Sequence, residues 1–128
     1  MTNKISELAE SIYKELPRHL SEIAYQNALA IDLRDIDKNV ETEKYVPVIY
    51  KNQTIACLRT DICIDNKIVI EIKSIDKLRD KDIQQLETYL KIMNISEGYL
   101  INFGKTFEFK NLITNKIKDE NPRKHFGL

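Results

Sequence analysis

The hydrophobic period of the chain changes near residue 43, and that switch limits the folds open to it. Upstream, Ile5, Leu8, Ala9, Ile12, Tyr13 and Leu16 recur at spacings of three and four, the period of an amphipathic helix. Pro17 disfavours helical geometry at its predecessor, so the first helix should end near Leu16. A second helical stretch runs from about Leu20 to Ile36. It carries Ile23, Ala24, Asn27, Ala30, Ile31 and Arg34 on one side and Glu22, Tyr25, Gln26, Leu29 and Leu33 on another, which predicts a mostly buried helix. Pro17 and His19 break the pattern only moderately, so one bent helix is an alternative to two.

Downstream the residues become β-branched and aromatic. Tyr45 to Tyr50 reads as a strand, placed at a sheet edge by Pro47. Lys51-Asn52 turns the chain into Thr54 to Ile64, and Asp65-Asn66-Lys67 reverses it into Ile68 to Lys73. These form a three-strand meander. Asp80 can cap a helix running through Ile83, Leu86, Leu90 and Met93, and Gly98 to Phe103 is a nearly continuous apolar strand. Thr106 to Phe109 adds a short strand. The expectation is one domain over residues 1–118 and a C-terminal tail over 119–128.

Of the 128 residues, 42% are hydrophobic and 31% charged, with 20 basic against 20 acidic, which excludes the disordered class. No apolar run approaches the roughly 18 residues of a membrane helix, and the first residues lack the apolar stretch of a secretion signal. A cytoplasmic, viral or nuclear setting is therefore expected. Cys57 and Cys63 cannot build a disulfide framework or a four-ligand zinc site, and His19 and His125 are far apart. Zero net charge argues against a histone-like grip on nucleic acid. A local basic patch remains open, since residues 104–128 hold six Lys/Arg against three acids.

The chemistry concentrates on two strands. Alternation places Glu71 and Lys73 on one face, opposite Ile70 and Ile72, and groups Cys57, Arg59, Asp61 and Cys63 opposite Leu58, Thr60, Ile62 and Ile64. The aliphatic face is expected to be the core face. A two-residue turn at Asp65-Asn66 would send Asp61 and Glu71 to opposite faces. A three-residue connection, Asp65 to Lys67, sets them directly across from each other, and that register is expected here. Carboxylates so close repel unless a divalent cation lies between them, and hard oxygen ligands favour Mg²⁺ or Mn²⁺. Lys73 would then orient the water that attacks a phosphodiester. An exposed ladder of salt bridges among Arg59, Asp61, Glu71 and Lys73 fits the pattern equally well. Arg59 is a candidate phosphate contact, and Tyr25 and Tyr89 read as core aromatics with tethered hydroxyls.

Asp61 followed by Ile70-Glu71-Ile72-Lys73 resembles the core of the PD-(D/E)XK nuclease superfamily, and the surrounding chain resembles its small GxxExxY family. Glu22-Ile23-Ala24-Tyr25 is similar to the ExxY motif, Gln85 to Leu90 to the QLxxYL helix, and Gly98 to Gly104 to the GLLINFG strand. The similarity spans roughly Ile5 to Leu112. It implies a restriction-endonuclease-like α/β fold, a central mixed sheet of four to five strands flanked by helices. It further implies Asp61 and Glu71 as metal ligands, the Ile72 carbonyl as a third, Lys73 beside the attacking water, Glu22 as an additional metal or water contact, and Gln85 as a site or substrate contact. Arg59, Tyr25 and Tyr89 are the candidate substrate-binding side chains. The leading glycine of the name motif is His19 here, so the loop entering that helix should differ.

Three functions follow as expectations. The first is a Mg²⁺-dependent nuclease acting on DNA, as a homodimer or with a partner protein supplying basic surface. The second is a nucleic-acid-binding or assembly module without turnover. The third is a junction resolvase, which predicts a symmetric dimer and sits poorly with neutral charge.

Overall fold

The computed structural model describes residues 2–114. The expected tail, the part of the basic stretch beyond residue 114 and His125 lie outside the described residues. The elements run α1 (Thr2–Glu15), α2 (Glu22–Arg34), β1 (Val40–Tyr50), β2 (Gln53–Ile64), β3 (Ile68–Lys73), α3 (Asp80–Met93), β4 (Glu97–Phe103) and β5 (Phe107–Ile113). The five strands form one mixed sheet in the order β1-β2-β3-β4-β5. Only β3 and β4 are parallel, because α3 carries the chain between them as a crossover. No helix among the described residues is long and apolar enough to cross a membrane.

α1 and α2 are separate helices, not one bent element. Pro17 lies between them, and His19 takes a left-handed φ of 68° that no α-helix continues through. α2 buries a single stripe, Tyr25, Gln26, Leu29, Ala30 and Leu33. Ile23 and Ile31 are exposed, so the side read from the sequence through Ile23, Asn27, Ile31 and Arg34 faces outward, and of it only Ala30 is fully buried. Against the first stripe and Ile5, Ala9 and Ile12 of α1 pack Ile62, Ile64, Ile70, Ile72, Tyr99, Ile101 and Phe103 of the sheet.

The opposite sheet face is a second, smaller core, which corrects the expectation of one aliphatic face. Val69 and Leu100 meet Leu86, Leu90 and Ile95 there. Burying each leucine stabilises by roughly 1.5–3 kcal/mol. α3 begins at Asp80, with Arg79 at the N-cap position, and the Asp82 carboxylate accepts the Arg79 N–H at 2.9 Å. Asp80 is therefore the first helical residue and Asp82 does the capping.

The hairpins follow the turn chemistry. Lys51 and Asn52 both have positive φ, matching a tight primed turn, and Pro47 lies on the edge strand. Ile64 pairs with Ile68, so the β2–β3 connection is the three-residue one. β2 stays with β3 only from Ile62 to Ile64 and with β1 along nearly its whole length. The outer parts of β1 and β2 thus leave the sheet as a two-stranded ribbon. Asp61 sits at the branch.

Candidate active site

The ladder pairs Ile62 with Ile70, so the next residues along, Asp61 and Glu71, stand across from each other on the α3 face of the sheet. Past this point the strands diverge, which frees a main-chain donor on β3. The Asp61 carboxylate takes it: Oδ2 accepts the Ile72 N–H at 2.8 Å, while Glu71 Oε1 lies 3.4 Å from the Asp61 nitrogen as acceptor. Each acid thus satisfies backbone of the other's strand. Asp61 is 8% and Glu71 9% exposed, which rules out the solvated salt-bridge ladder.

Burial pushes the Glu71 carboxyl well above its ordinary 4.5, and the neighbouring Asp61 charge adds to the rise. The folded state therefore holds the Glu71 proton more tightly than the unfolded chain. Its contribution to stability is fully present below pH 4.5 and is lost as pH climbs through the raised folded value. Glu71→Gln never ionises. In EDTA it should melt several degrees higher than wild type at pH 8, with the gain gone near pH 4. Thermal melts at the two pH values check this, and an equal difference at both would contradict it.

Lys73 shares the face of Glu71, but its ammonium pairs with Asp82 at 3.8 Å. Asp82 is 3% exposed and also takes the Arg79 guanidinium through bonds of 3.1 Å. The Arg79 hydrogen bonds hold the Asp82 carboxyl below its ordinary value despite burial. Sequence reasoning passed over Asp82. The available signal was an acid two positions inside a helix start, where a side chain can reach back to the cap.

The remaining expected residues scatter. Arg59 lies within 3.8 Å of Asp61 and 2.8 Å of Glu43. Glu22 opens α2 and accepts the Ser74 N–H at 3.3 Å, so it is tied to the end of β3 and bonds to neither carboxylate. Gln85 and Tyr89 hydrogen-bond to each other on α3 at 3.0 Å. Tyr25 is fully buried, stacked on Phe103 at 4.7 Å, with its hydroxyl donating to the Pro17 carbonyl at 2.7 Å. It is a tethered core aromatic and touches no open surface. His19 adopts the left-handed conformation that glycine favours. Among the described residues, no three His, Cys, Asp or Glu side chains cluster as metal ligands.

Asn102 and Gly104 belong to the site as scaffolding. The Asn102 amide brackets the Ile75 peptide, accepting its N–H at 3.0 Å and donating to its carbonyl at 2.8 Å. That pair fixes the segment that follows Lys73.

A search of curated proteins finds no significant match. Among solved structures, one titled "Crystal structure of SSO0001" is similar at 22% identity and a TM-score of 0.46, over 91% of this chain and 67% of that one. A family model described as the PD-(D/E)XK nuclease superfamily matches residues 1–114. Nucleases of that superfamily generally use divalent metals and act on nucleic acid. The two facing acids, the lysine on the same strand and the mixed five-stranded sheet agree with that match, and the chain belongs to the PD-(D/E)XK nuclease superfamily.

Proposed function

We propose that the chain is a Mg²⁺- or Mn²⁺-dependent nuclease of the GxxExxY family that hydrolyses phosphodiester bonds in DNA with water as the nucleophile. The observation that carries this reading is the convergence of Asp61 and Glu71, both nearly out of water, from two strands that part at that point. Two buried acids in apposition are unfavourable by themselves, and Glu71 makes no ion pair among the described residues. A divalent cation supplies the missing positive charge, and an all-oxygen donor set suits Mg²⁺ or Mn²⁺ better than zinc.

Asp61 and Glu71 would hold the ion. The Ile72 N–H points toward β2, and strand geometry turns the Ile72 carbonyl to the same side as a third oxygen. Glu22 would contribute a further metal or water contact from the end of β3. When bound, the metal stabilises charge developing on the phosphate. Lys73, anchored by Asp82, would orient the attacking water, and Arg59 would neutralise a phosphate oxygen beside Asp61. Gln85, with Tyr89 beside it on α3, would contact substrate.

Incubation of single-stranded, duplex and branched DNA and of RNA with Mg²⁺, Mn²⁺ or EDTA tests the reading. DNA cleavage that needs metal and disappears in Asp61→Ala is expected; metal-independent cleavage, or retention in Asp61→Ala, would contradict it. One observation favours a binding or assembly module instead: among the described residues no third ligating side chain clusters with Asp61 and Glu71. Tight DNA binding with no turnover in either metal would select the module. A symmetric dimer preferring junctions would make the enzyme a resolvase.

A further inference from the structure

We propose that the cavity beyond the carboxyl ends of β3 and β4 is a subsite for a backbone phosphate of the nucleic-acid strand, held by Arg18, His19 and Lys105. The proposal rests on the nuclease reading for the identity of the strand and deepens it. The cavity measures about 410 Å³. Arg18 and His19 reach it from the loop between α1 and α2, Ser74 and Asp76 from the segment after β3, and Lys105 from the turn after β4. Crevices outside the carboxyl ends of parallel strands are where open α/β sheets bind ligands.

The charges there are unspent. Among the described residues, Arg18, His19 and Lys105 form no ion pair. The Arg18 guanidinium stacks 3.5 Å from the centre of the Tyr13 ring, and its Nη1 is buried without a hydrogen-bond partner. A buried charged donor left unpaired is costly, and an anion in the cavity that Arg18 lines offers the guanidinium a partner. Tyr13 is itself fixed, donating to the Gly104 and Lys105 carbonyls at 2.9 and 3.1 Å. One aromatic ring therefore holds both the arginine and the turn that carries Lys105.

Two cations on a rigid frame, one of them a planar fork, suit a phosphate better than a carboxylate or a lone halide. The Ser74 hydroxyl faces the Leu20 and Phe103 carbonyls and adds no donor. Asp76 is the one acid of the lining and opposes an anion. Ser74 directly follows Lys73, so a strand whose reacting phosphate lay at Asp61 and Glu71 could set a flanking phosphate here. A chain of zero net charge has to grip DNA at a few such points.

The test is fluorescence anisotropy of labelled DNA with the full chain in EDTA, from about 50 to about 200 mM KCl. R18Q/K105Q should bind about tenfold more weakly, with a shallower dependence of log affinity on log salt by about one per contact removed. D76N should bind more tightly. Because Arg18 packs on Tyr13, K105Q alone must also reduce the slope while its circular dichroism and Tm stay at the wild-type values. Unchanged affinity and slope in K105Q and R18Q/K105Q would overturn the proposal. So would loss of inorganic phosphate binding with DNA binding intact, which would mark a free-anion site. Metal is absent throughout, so binding is read apart from turnover; a wild type that binds through these residues here yet never cleaves in the Mg²⁺ and Mn²⁺ assays would reject the hydrolytic reading and leave the subsite standing.

Discussion

Lys73→Ala is expected to lower kcat for metal-dependent cleavage by about 10²- to 10⁴-fold while KM changes little, the pattern of a group that acts on the reacting water and not on substrate affinity. The ammonium stands on the strand of Glu71, one pleat away, and the buried Asp82 carboxylate fixes it from α3 at 3.8 Å. Lys73→Arg should rescue poorly, because a planar guanidinium would pair flat against Asp82 and withdraw from the sheet. Asp82→Asn removes the anchor without removing the ammonium, so its kcat should fall between those of wild type and Lys73→Ala. Steady-state kinetics on one DNA substrate decide the matter. A Lys73→Ala enzyme that keeps its kcat and loses KM would move the lysine from water positioning to simple phosphate binding.

Gly104→Ala is expected to destabilise the fold by about 3 kcal/mol or more, read as a lower urea midpoint at unchanged slope. An alanine Cβ there would fall 1.6 Å from the Ile75 carbonyl oxygen and 2.8 Å from Asn102 Nδ2. The carbonyl is pinned, since the Asn102 amide holds both the N–H and the C=O of Ile75. Gly98→Ala is the control. Its Cβ would first meet the Leu90 side chain, at 2.9 Å, and a side chain can shift. A loss of about 1 kcal/mol is expected for it. Equal losses at the two glycines would refute the bracketed-peptide explanation. With total stabilities of about 5–15 kcal/mol, the Gly104 substitution alone removes a large share.

The parts of the fold legible in the sequence are those governed by local geometry. Strand parity and the three-residue turn at Asp65 to Lys67 sufficed to bring Asp61 opposite Glu71. A proline without an N–H correctly marked β1 as the edge. What escaped depends on how elements dock. That β5 extends to Ile113, well past Phe109, follows from pairing with β4 and not from its own polar Lys110-Asn111. The second core is invisible in the strand pattern because Glu71 and Lys73 share its face with Val69, and only the crossover of α3 reveals which end is covered. The Lys73–Asp82 pair joins residues whose distance is set by the docking of α3. Glu22, expected as a metal or water contact, bonds instead to the Ser74 backbone at the end of β3, a contact no side-chain pattern predicts. Asn102 was read as part of a strand motif, and only coordinates expose it as the clamp on Ile75.

Calorimetric titration of Mn²⁺ into wild type, Asp61→Ala and Glu71→Ala reports directly on whether the facing acids form a divalent-ion site. Saturable one-site binding by wild type that weakens as pH falls, because the metal competes with the proton that burial makes Glu71 hold more tightly, and no binding by either variant is the predicted result. Equal binding by all three proteins, or none by wild type at millimolar Mn²⁺, would contradict it.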